Sequence, residues 1–175
     1  KALALNPNSA AALLGLADTQ YKLARGTKSL ALSARALELD PMSDFFRQQH
    51  LVHLAQSGHG NEALRLATAW AEKEPQNPFP FEAIGDAYLT GLGQPQRAVT
   101  AYARAHDLRP GDTYMAARIV AAFLEMNDLP SARLWLEKAR ERGPRTFFTA
   151  RSEYLVARYE DDAAAQDALL RRHMR

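Results

Sequence analysis

Residues 75–110 read PQNPFPFEAIGDAYLTGLGQPQRAVTAYARAHDLRP, and this stretch decides the fold. Asn77 is a helix cap, because its side-chain oxygen can accept from the free amides of a first turn. Pro78 follows at the first helical position, where a missing N–H costs nothing. Ile84 and Tyr88 lie four residues apart and share a helix face. Gly91-Leu92-Gly93-Gln94-Pro95 breaks that helix. A second helix carries Ala98, Tyr102 and Ala105, and Pro110 stops it.

The same unit recurs in both directions. Pro7, Pro41, Pro75, Pro110 and Pro144 are 34, 34, 35 and 34 residues apart, the mark of a stacked repeat. Two residues after each proline stand Ser9, Ser43, Asn77, Asp112 and Thr146, all cap residues. Twelve residues before the next proline come Ser29, Ala63, Ala98 and Ala132; five before it come Ala36, Trp70, Ala105 and Ala139. Small residues at fixed offsets let two helices approach closely. The offset eight before the proline varies more: Ser33, Ala67, Tyr102, Leu136.

The third copy, Phe81-x2-Ile84-Gly85-x2-Tyr88 followed by Ala98, Tyr102, Ala105 and Pro110, resembles the tetratricopeptide repeat, with one extra residue placed in the inter-helix turn. Ala17, Leu51 and Val120 stand where the family favours glycine. The resemblance implies an all-α, right-handed superhelical solenoid of antiparallel helix pairs. It divides the chain into the tail of a truncated preceding repeat (1–7), four repeats (8–41, 42–75, 76–110, 111–144) and a divergent final pair (145–175), with helices expected over 147–159 and 162–173. The tail and the initial Lys1 suggest a fragment of a longer protein; the final pair suggests a terminal cap.

Composition agrees. Alanine occurs 33 times against four Val and two Ile, too few β-branched residues for a sheet. There is no cysteine, so neither disulfides nor thiolate metal sites exist. No apolar run reaches the ~18 residues of a membrane span. Residues 1–88 carry eight basic and nine acidic groups, and residues 89–175 fourteen and eleven. The bases Arg133, Lys138, Arg140, Arg142 and Arg145 interleave with Glu137 and Glu141, which argues against a nucleic-acid footprint. Seventeen Arg against five Lys, with the alanine excess, suggest a bacterial source; cytoplasm and periplasm both stay open.

By resemblance, the first helix of each pair (helix A) lines a concave groove that receives a peptide or a partner segment. Groove positions two past each cap are Ala11, Phe45, Phe79, Tyr114 and Phe148. These rings either anchor a ligand or staple each helix start onto the preceding helix. Five past the cap stand Leu14, Gln48, Glu82, Ala117 and Arg151, and nine past it Asp18, Val52, Asp86, Ala121 and Leu155. The Lys and Asn pair with which one subgroup of the family grips a terminal carboxylate is missing. The candidate binding residues are thus Phe45, Gln48, Phe79, Glu82, Asp86, Tyr114, Phe148 and Arg151.

Chemistry is sparse. His50 and His53 are three apart on one helix, with His59 after them, but no carboxylate stands at a familiar ligand spacing; bonding to backbone, Gln48 or Gln49 is the expected state. Asp18, Glu82 and Asp86 are expected on exposed faces with no nucleophile near. Gly91-x-Gly93 lacks the Lys-Ser/Thr of a phosphate loop. The expectation is no enzyme, no metal and no cofactor. The chain is read as a protein-interaction scaffold within a larger protein. The alternative is a regulatory or assembly domain fused to an effector, such as a bacterial regulator or polysaccharide-export or secretion machinery, packed within its own complex. No membrane insertion is expected, and self-association through exposed array ends stays open.

Overall fold

Five side chains open five helices in a computed structural model that describes residues 6–142 and 146–173. Ser9 accepts from the amide of Ala12 at 3.3 Å and Ser43 from Phe46 at 3.4 Å. Asn77 accepts from Phe79 at 3.1 Å and Asp112 from Tyr114 at 2.8 Å. Thr146 and Thr149 close a reciprocal capping box. The expected tail residues 1–5 and the last-copy positions Pro144 and Arg145 lie outside the described residues.

Each cap starts a helical hairpin. The helices are α1 (Ala10–Lys22) and α2 (Gly26–Leu39), α3 (Asp44–Gln56) and α4 (Gly60–Lys73), α5 (Pro78–Asp86, continued by a π-helical turn Ala87–Gly91) and α6 (Pro95–Leu108), α7 (Thr113–Glu125) and α8 (Leu129–Arg142), and α9 (Phe147–Tyr159) and α10 (Ala163–His173). Every regular element among the described residues is helical.

The hairpins reverse by one device. The middle residue of each three-residue link has positive φ: Ala24 (57°), Gly58 (91°), Gly93 (63°), Asn127 (56°) and Asp161 (57°). The next amide then reaches back to a carbonyl of the ended helix, as Arg25 does to Gln20 (2.9 Å), His59 to Leu54 (3.1 Å), Asp128 to Phe123 (2.9 Å) and Asp162 to Ala157 (3.0 Å). Carbonyls left free by the helix end are thereby satisfied.

The third hairpin differs, and the difference corrects one expectation. Its extra residue does not lengthen the link. The first helix instead runs from Pro78 to Gly91, one residue longer than its counterparts, and its last turn is π. A π turn is how a helix takes in one residue without breaking. The closing bond shifts accordingly: the Gln94 amide reaches Tyr88, six residues back rather than five (2.8 Å).

Packing follows the small-residue offsets. Ser29, Ala63, Ala98 and Ala132 are all 0% exposed, and Ala36 and Ala105 are equally closed. The chain divides into two compact units, 1–94 and 95–175. In the first, Leu51, Leu54, Ala63, Ala67 and Trp70 of the second hairpin enclose Ala83 and Ala87 of α5. In the second, Val120, Leu124, Ala132 and Leu136 receive Val156 of α9. Each buried aliphatic side chain contributes about 1.5–3 kcal/mol.

The tightest approach is between backbones. A Cβ on Gly60 would stand 2.8 Å from the carbonyl carbon and oxygen of Gly91. Gly60→Ala should therefore destabilise the chain by about 1–3 kcal/mol, read as a lower urea midpoint; an unchanged midpoint would refute the close approach. Ala24→Gly should act the other way, raising stability by up to about 1 kcal/mol, because Ala24 bears a left-handed conformation that glycine adopts freely.

Candidate functional site

The candidate residues lie on the first helix of each hairpin, where the caps fix the phase of every turn. In the first unit they fall into two groups. Phe45 is 48% exposed and meets Phe46 edge-on at 5.6 Å. Phe79 is half-buried and packs against the core of the second hairpin. Gln48, Glu82 and Asp86 are buried, at 1%, 3% and 2% exposure. This corrects the expectation that Glu82 and Asp86 lie on exposed faces. The Gln48 amide donates to Asp86 Oδ2 at 3.3 Å and accepts from Gln49 at 2.7 Å. Neighbouring first helices are thus cross-linked through side chains that charge and polarity alone would have placed in water. Asp18 does stay half-exposed, with 54% of its side chain open.

A second cross-link sits at the helix starts. The Asn77 side-chain amide donates to Asp44 and to Glu74, both at 2.7 Å, while its oxygen caps α5. Asn77 holds the Glu74 carboxyl below its usual range. Arg47 stands 3.7 Å from Glu74 and lies over the Trp70 ring at 4.9 Å. Trp70 thus fills an offset where the other copies carry alanine and supplies a platform for that cation.

In the second unit the aromatic row closes up. Tyr114 and Phe148 meet edge to face with centroids 5.0 Å apart, and Phe147 touches Phe148 at 5.8 Å. Arg151 is exposed on α9. Arg118 donates to the Tyr102 hydroxyl at 2.6 Å and lies over its ring. Three bases of α8 are engaged: Arg133 with Glu160, Arg140 with Glu137 and Glu153, and Lys138 over Trp135, while the Arg142 side chain lies outside the described residues. Arg145 lies outside the described residues.

The histidines take partners other than the expected ones. His53 Nδ1 is 2.9 Å from Ser29 Oγ, and His50 Nδ1 is 3.1 Å from Ser33 Oγ. Each serine gives its own proton to a carbonyl, Ala17 or Leu30. Each serine is thus held between a backbone carbonyl and a histidine ring nitrogen. His53 Nε2 lies 3.3 Å from Asp18 Oδ1. The serine pair is the signal that sequence reading passed over: only α2 carries serine at both offsets that face the following helix, and only α3 carries histidine opposite. Among the described residues no group of three or more His, Cys, Asp or Glu side chains could hold a metal ion, and no helix is long and apolar enough to cross a membrane.

With this geometry in hand, comparison places the fold. The sequence matches no family model and no curated protein. Solved structures do resemble it. A thermophilic TPR protein of Thermus thermophilus is 18% identical, with a TM-score of 0.65 over 91% of this chain and 87% of that one. Cut9, in the Cut9–Hcn1 hetero-tetramer of the APC/C, gives 19% and 0.70 over 91% of this chain and 30% of the other. PilW, a widely conserved type IV pilus biogenesis factor, gives 17% and 0.60 over 96% and 78%. The chain is an all-α array of stacked helical hairpins. Its fold is that of tetratricopeptide-type repeat structures.

Burial pushes His50 and His53 below the ordinary value of 6.5, while Glu62 and Asp18 pull the other way. A folded-state value below the unfolded one means that the folded chain binds fewer protons. The stabilisation is complete above 6.5 and is lost as pH falls below it. The melting midpoint should drop between about pH 7.5 and pH 5.5, and the double variant His50→Gln, His53→Gln should flatten most of that slope. A midpoint that holds or rises on acidification in the unaltered chain would contradict the assignment.

Proposed function

We propose that the chain is a non-catalytic protein-interaction scaffold, built as the four repeats and final pair delimited above, that takes a peptide or partner segment along the first-helix faces. The observation that carries this reading is the aromatic row: Phe45 half-open in the first unit, and Tyr114 against Phe148 beside exposed Arg151 in the second. Aromatic and arginine side chains contribute disproportionately at interfaces. Phe79, Gln48, Glu82 and Asp86 act in this proposal as the frame: they hold neighbouring helices in register so that the row is presented. Glu82 and Asp86, being buried, also lack the access to substrate that acid–base work requires.

A second reading is an assembly domain that packs within its own complex, and Phe147, 73% exposed beside Phe148 of the aromatic row, favours it. PilW, named for pilus biogenesis, is a structural relative in keeping with such a role.

The test uses a displayed library of peptides selected on the full chain. Phe45→Ala and Tyr114→Ala should each weaken the selected peptides about tenfold with unaltered far-UV circular dichroism. Loss of helicity in both variants, or binding indifferent to both, would refute the groove reading.

A further inference from the structure

The last hairpin meets the helix before it with smaller and more polar side chains than its counterparts use. Seven and eleven residues past the cap, α3 carries His50 and Leu54, α5 Ile84 and Tyr88, and α7 Ile119 and Phe123. His50 reaches Ser33 of the preceding helix, and Leu54 belongs to the core. On α9 the same two offsets carry Glu153 and Ala157, which are 6% and 5% exposed. A carboxylate thus stands at an interior position, and a methyl group replaces leucine, tyrosine or phenylalanine.

That loss of bulk goes with a cleft of about 360 Å³ bordered by α8, α9 and α10. This is the small end of the range for ligand clefts, about 300–1,000 Å³. Leu136, Val156, Ala157 and Leu169 give it apolar walls. Its α9 residues face α8: Val156 packs with Leu136, and Glu153 accepts from Arg140 Nε at 3.0 Å. Side-chain size within this junction, rather than the end of the array, sets the space.

The charged lining is unequal. Arg133 pairs with Glu160, while Arg140 alone serves both Glu137 and Glu153. Three carboxylates against two guanidinium groups leave one net negative charge. Glu137 and Glu160 are each bonded through Oε1, and Oε2 of each can accept from a ligand. Apolar walls beside surplus acid match a molecule that joins a ring to a cation; an anion would meet the carboxylates with like charge.

We infer that this cleft binds a small arylalkyl amine, with its ring against Ala157 and its ammonium group donating to the acidic lining. The ring takes the kind of volume that Phe123 fills in the preceding copy. The cleft is bordered by two second helices, and the inference stands apart from the groove reading.

The probe is tryptamine, titrated into the isotope-labelled full chain and followed through the backbone amide signals of Leu136, Ala157 and Ala165. Saturable shifts are expected at these positions. Indolepropionate, with the same ring but a carboxylate, should bind about tenfold more weakly. Ala157→Leu supplies the side chain that Leu54 provides in the second hairpin, and should abolish binding with helicity unchanged. Glu137→Lys, at a side chain 58% exposed, turns the net charge of the lining from one negative to one positive and should reverse the preference between the two probes. Because that position is open, this variant keeps the test decisive even where Ala157→Leu loses helicity. The proposal is overturned by the absence of saturable shifts with tryptamine, by equal binding of the two probes, or by a preference that Glu137→Lys does not move. Undiminished binding in a folded Ala157→Leu chain would overturn it as well.

Discussion

The first four copies of this array rest on a small residue at one point of the second helix. Ser29, Ala63, Ala98 and Ala132 stand at that point with no exposed surface. A larger side chain there would push the axes toward the far end of the roughly 8–10 Å range, and the neighbouring contacts would part with it. Because the point recurs in four copies, the packing within a copy follows from a local rule, as repeat architectures require. Where backbones come closer still, at Gly60 and Gly91, even a Cβ is excluded.

The reversals support that contact from the other side. A three-residue link with a left-handed middle residue returns the chain at a fixed angle, and only two of the five middle residues are glycine. The others, Ala24, Asn127 and Asp161, carry the conformational cost, which packing of the two helices offsets. The links therefore need no glycine signature, and in the first hairpin none was present to be read: Gly26 looks like the breaker, yet it is the first residue of α2.

This contrast marks what a sequence can and cannot disclose. Caps and small-residue offsets are legible because each acts within one hairpin and leaves a fixed spacing. Burial of Asp86 is not, since its partner is Gln48, 38 residues earlier on another helix. The His50–Ser33 and His53–Ser29 bonds are hidden for the same reason: each residue alone reads as an ordinary surface or core choice. Of the aromatic row, the spacing was legible but the roles were not. Phe79 turned inward while Phe45 stayed out, because only the former has the wall of the second hairpin behind it.

The π turn of the third hairpin has a wider consequence. One added residue in an α-helix rotates all that follows by about 100° about the axis. The π turn absorbs that phase error within Ala87–Gly91, and α6 resumes with its small residues buried. Within the first unit the length change is thus taken up inside one helix, and Gly91 still meets Gly60 of the neighbouring hairpin.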